Sequence, residues 1–138
     1  MVAATVSPAL AHAPGCHSAR CDRHAYRLWL KHYPPRCSNA DPRACVEEVI
    51  RLQRIGEPEA HWLRVIPGCE STWRPEEVEP TTHAAGLYQF EPATWSSTPF
   101  AGHDVLSAYW NTRGAAWGYQ HLEHGPGEWS CTAILGLG

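Results

Sequence analysis

Apolar positions recur at helical spacing in four stretches of the chain. Ala25, Leu28 and Trp29 lie on one face of a helix predicted over Asp22 to His32, which Tyr33-Pro34-Pro35 stops. A second helix, Arg43 to Arg54, carries Val46, Ile50 and Leu52; Asp41 can cap it and Pro42 suits its first position, where the missing N–H costs nothing. Gly56 and Pro58 end it. A third begins at Glu59 and turns Trp62, Val65 and Ile66 inward as far as about Ser71, with Pro67-Gly68 in its last part. A turn or short helix opens at Ala84 to Gln89, Pro92 starts a helical turn bearing Thr94 and Trp95, and Ser96 to Gly102 reads as a loop. The last helix is predicted over Asp104 to His124, where Gly114 and Gly118 allow close packing against the third. Helical periodicity dominates and no repeat or low-complexity tract is present.

Composition narrows the function classes. The chain has 138 residues, a one-domain length, with 43% hydrophobic content and seven Trp for a single core. A net charge of −3 and the absence of any long basic run argue against a nucleic-acid partner. No apolar run reaches the ~18 residues of a membrane span. Six cysteines point to an oxidising compartment. Met1 to Leu10 is small and apolar, and Ala11-His12-Ala13 resembles a signal cleavage site, although the basic start of a leader is missing. The expected localisation is therefore secreted or cell-wall associated. Residues 1–13 are read as leader, 14–58 as a Cys-rich helical segment, 59–131 as the main domain and 132–138 as a tail.

Cys16, Cys21, Cys37 and Cys45 fall in the Cys-rich segment, among His17, His24 and His32. Zinc ligation is the rival to disulfides there, but the spacings lack a paired-cysteine knuckle and an exported chain favours oxidation. Six cysteines allow 15 connectivities, and the pattern leaves the pairing of these four open. The nine histidines show no metal-binding spacing, so neither a metal nor another cofactor is expected.

The chemistry concentrates around Glu70, a carboxyl set among Trp62, Val65, Ile66 and Trp73. Loss of hydration disfavours its charged form and raises its pKa, as an acid for glycosidic cleavage requires. The motifs Glu70-Ser71-x-Trp73-x-Pro75, Ala85-Gly86-Leu87-Tyr88-Gln89-Phe90 and Pro92-x-Thr94-Trp95 resemble those of the lysozyme-like superfamily, especially soluble lytic transglycosylases. Cys69 before the glutamate and Gly125-Pro126-Gly127-Glu128-Trp129-Ser130-Cys131 are similar to the resuscitation-promoting-factor branch. The resemblance covers roughly Glu59 to Cys131.

It implies a mainly α, α+β lysozyme-like fold: a helical cleft domain with a small loop or hairpin wall, preceded by a short disulfide-bearing helical segment. It further implies cleavage of peptidoglycan glycan strands by a monomer, with Glu70 as general acid and then base. Gln89, Tyr88 and Gly86 would face the sugar, with Trp73, Glu79 and Asn111 as further substrate contacts. Cys69 and Cys131 would pair, contributing roughly 4 kcal/mol through the chain-entropy effect. Pro67-Gly68 replaces the helix formers usual before the glutamate. That departure motivates an alternative, a non-catalytic glycan-binding module of the cell wall. A phage-borne lysis or virion protein would share the chemistry and differ in location.

Overall fold

In a computed structural model of the chain, residues 34–137 are described. The proposed leader, the helix expected over 22–32, and Cys16 and Cys21 lie outside them. Five α-helices and one 3-10 turn account for the regular structure of the described residues, which contain only isolated β-bridges.

Helix α1 spans Pro42–Gln53, with Pro42 in its first turn and the Asp41 carboxylate accepting from the Ala44 amide at 3.2 Å. The left-handed Arg54 (φ 54°) terminates it. A disulfide joins Cys37 to Cys45, one of the pairings the sequence left open. The buried face of α1, Cys45, Val46, Val49, Ile50 and Leu52, packs on helices α2 (Glu59–Glu70) and α4 (Ala108–His121). Asn39 strengthens this attachment: its amide donates to Leu106 O and its carbonyl accepts from Ala108 N, both at 2.8 Å. The compact unit accordingly begins at Pro35. Residues 35–58 are part of this compact unit, in which the apolar face of α1 finds its partners.

Helix α2 buries Ala60, Trp62, Leu63, Ile66 and Pro67. Trp62 anchors an aromatic cluster, with ring centroids 4.9 Å from Trp129, 5.3 Å from Tyr119 and 5.9 Å from Tyr88. Edge and offset contacts of this kind add to what ring burial alone contributes. The helix continues through Pro67 to Glu70.

The chain then forms a wall of irregular loop. Ala85 and Phe90 exchange both backbone hydrogen bonds at 2.9 Å, and Val78 bridges Ala85 from the other side. Short helix α3 (Pro92–Ser97) follows. Helix α4 is shorter than the 104–124 expected. Asp104 to Ser107 forms a turn instead, with Leu106 N on the Asp104 carboxylate at 2.9 Å, and Ser107 caps the helix through Trp110 N. A 3-10 turn (Gly125–Glu128) and α5 (Ser130–Ile134) complete the unit. Helix α4 packs on α2, as through Tyr119 on Trp62, while its glycines admit rings from elsewhere. A Cβ on Gly114 would stand 2.7 Å from Trp95, and one on Gly118 2.7 Å from Trp129. Trp117 is partly exposed and stacks on His121 at 5.2 Å. No described helix is long and apolar enough to cross a membrane.

Candidate functional site

Glu70 is the last residue of α2, half-buried in the lining of an open cleft of ≈ 300 Å³. Two non-local links and one local one hold this helix end. The Cys69–Cys131 disulfide ties it to α5, the Ser71 hydroxyl donates to Leu87 O at 2.8 Å, and the same hydroxyl lies 3.2 Å from Pro67 O. Burial raises the Glu70 pKa above 4.5, opposed in part by the Cys131 backbone amide, which favours the carboxylate.

Glu79 and Gln89 line the same cleft, with Thr82, Glu91, Glu128, Trp129 and Ser130. The Glu79 carboxylate accepts from the amides of Thr81 and Thr82 and from the Thr82 hydroxyl. The Thr82 amide and hydroxyl bonds lead in holding its pKa below 4.5. One cleft thus presents two carboxyls pushed in opposite directions, the arrangement expected where one group donates a proton and another stays charged. Glu91 and Glu128 add further acid groups. A smaller, more enclosed extension of ≈ 180 Å³ continues over Phe90, Thr94 and Leu122, sharing Gln89, Glu91, Glu128 and Trp129 with the first.

Gln89 adopts φ 53°, and its amide nitrogen donates to Glu77 O at 3.0 Å and Gly86 O at 2.9 Å. Both donors are thereby engaged within the loop, leaving the side-chain carbonyl oxygen as the group it can offer a ligand.

Four residues expected at the substrate lie elsewhere. Tyr88 is wholly buried, and its hydroxyl donates to Leu63 O at 2.7 Å. Asn111 is equally buried: its carbonyl accepts from Tyr88 N at 2.7 Å, and its amide donates to Val105 O at 2.7 Å and Ala85 O at 3.3 Å. Gly86 (φ +86°) makes room for that amide, since a Cβ would fall 2.1 Å from Asn111 Nδ2 and 2.5 Å from Val105 O. Its smallness therefore serves this buried contact. Trp73 sits against Gly68 with the Arg43 guanidinium 4.2 Å from its ring centroid, and is not among the residues that line the cleft. Because Gly86→Ala combines a left-handed backbone with a steric clash, it should destabilise the domain by about 3 kcal/mol, measurable by urea denaturation.

The wall formed by Glu128, Trp129 and Ser130 was not among the expected contacts. Its signal was present: if Cys131 pairs with Cys69, the residues preceding it must lie beside Glu70.

No family model, curated protein or solved structure matches the chain. Among the described residues, no three His, Cys, Asp or Glu side chains converge so as to hold a metal ion.

Proposed function

We propose that this chain is a lysozyme-like muralytic domain that cleaves peptidoglycan glycan strands, with Glu70 as its general acid. The observation that carries the reading is a half-buried carboxyl of raised pKa lining an open cleft together with Gln89 and with Glu79, whose pKa is lowered. The helical build and disulfides are in keeping with a domain that works at the cell wall. No cofactor is required.

Glu70 gives its proton to the oxygen linking N-acetylmuramic acid to N-acetylglucosamine, the C1–O bond breaks, and the N-acetylglucosamine 4-hydroxyl departs. The positive charge at C1 is relieved by the neighbouring N-acetyl oxygen or by a carboxylate. Glu70, now charged, then takes the proton of the incoming nucleophile. If that nucleophile is the sugar's own 6-hydroxyl, an anhydro end forms; if it is water, a reducing end forms. The Gln89 carbonyl is suited to accept from an acetamido N–H. Glu79 is the candidate for the electrostatic role in the hydrolytic case.

Mass spectrometry of fragments released from purified peptidoglycan by the oxidised protein and by Glu70→Gln tests the reading. Anhydro or reducing ends that disappear in the variant support it and identify the nucleophile. Release of nothing by either protein, on walls from several bacterial groups, would replace cleavage with glycan binding.

A further inference from the structure

We propose that Tyr88 is a positioning residue for Glu70, its hydroxyl standing in for the backbone N–H that Pro67 lacks. In a regular helix the amide of residue 67 would donate to the carbonyl of residue 63. Proline has no such donor, and its ring crowds that carbonyl away from the axis. Leu63 is fully buried, so water cannot take the vacant place, and an orphaned carbonyl there would be costly. Tyr88 supplies the donor at 2.7 Å, from a residue 25 positions away.

The same tyrosine is held from two further directions. Its amide donates to Asn111 Oδ1 on α4 at 2.7 Å, and its carbonyl accepts from Trp129 Nε1 at 2.8 Å. Its three polar groups thus join α2, α4 and the C-terminal wall. Gln89 follows it directly, and Glu70 lies one turn beyond Pro67. One residue, through its hydroxyl and its two backbone groups, therefore holds the end of α2 against α4 and the C-terminal wall. Burial raises the Tyr88 pKa, which keeps the hydroxyl a neutral donor.

This role rests on the reading of Glu70 as the acid, but it can be tested without catalysis. Tyr88→Phe removes only the hydroxyl, while Pro67→Ala restores the backbone donor. Four proteins are compared: wild type, each single variant and the double variant. Cleavage kinetics are measured together with the Glu70 titration, followed by carbon NMR of the carboxyl. Tyr88→Phe should lower kcat about tenfold with KM changed by less than about twofold, and should shift the Glu70 titration towards that of a solvated carboxyl as the last turn loosens. Adding Pro67→Ala should return both most of the way.

Equal loss in both backgrounds would overturn the proposal. So would a Tyr88→Phe protein that is less stable but titrates and turns over as wild type. Should Tyr88→Phe fail to fold, a folded double variant supports the substitution of one donor for the other, and an unfolded one overturns it. If the wild-type protein proves inactive on peptidoglycan, the muralytic reading falls alone, since the Glu70 titration still reports whether Tyr88 and the residue 67 amide are interchangeable.

Discussion

Glu70→Gln is expected to keep the fold and lose about 10²–10⁴ of the cleavage rate, the range that a positioned general acid contributes. Gln preserves the shape and an acceptor for the Cys131 amide, but it has no proton of suitable acidity. In the wild type, activity should fall as pH rises through the raised Glu70 pKa, because only the protonated form can start the reaction. Stability carries a matching signature. With the native pKa raised above the ordinary 4.5, the folded state binds more protons than the unfolded one between those two values. The stabilisation is fully present below the unfolded pKa and is lost as pH rises through the folded one. Glu70→Gln has no such loss, so its stability relative to wild type should improve between pH 4 and pH 7. Paired urea titrations at the two pH values measure this difference with the other titrating groups held in common. A variant that becomes relatively less stable at the higher pH would contradict the burial that raises the Glu70 pKa.

Loss of the Cys69–Cys131 bond should be the largest single blow to stability. Its cysteines are 62 positions apart, and closing a loop of that order contributes about 4 kcal/mol in the chain-entropy account. That is a large share of the ~5–15 kcal/mol that holds an ordinary domain together. The Cys37–Cys45 bond spans only 8 positions, for which the same relation gives about 2.5 kcal/mol. Replacing Cys69 and Cys131 together by serine should therefore lower stability markedly more than replacing Cys37 and Cys45. The functional effects should differ further. Cys69 adjoins Glu70, and Cys131 both follows the wall residues and supplies the opposing amide, so the first pair of serines should also reduce cleavage under conditions where the domain remains folded. Denaturation midpoints for the two double variants, with cleavage assayed well below those midpoints, separate the contributions.

Local rules go a long way in this chain. The Asp41-Pro42 start of α1 rests on one side-chain cap and one proline, groups that act within three residues of each other, and it occurs as read. The start of α2 at Glu59 likewise follows from the apolar spacing of Trp62 and Ile66. The N-terminal end of α4 was harder to see, because an Asp104 side chain satisfying the Leu106 amide competes with helix formation and delays the first turn until Ser107 can cap it.

Within the site, Glu70, Glu79 and Gln89 line one cleft, whereas Tyr88, Asn111, Gly86 and Trp73 are not among its lining residues. The residue types of the Gly86-to-Gln89 turn announce that its backbone is special, but not for whose benefit. The answer depends on Asn111, which lies 23 positions from Tyr88, and on Leu63, 25 positions away.

The sequence by itself determined the starts of the first two described helices and the mainly helical class, because capping and periodicity act over a few residues. Only the tertiary structure decided which polar side chains face the cleft and which are spent inside. A tyrosine hydroxyl or an asparagine amide takes whichever partner burial leaves unsatisfied, and here those partners were a carbonyl orphaned by Pro67 and the backbone of a turn packed beneath α4.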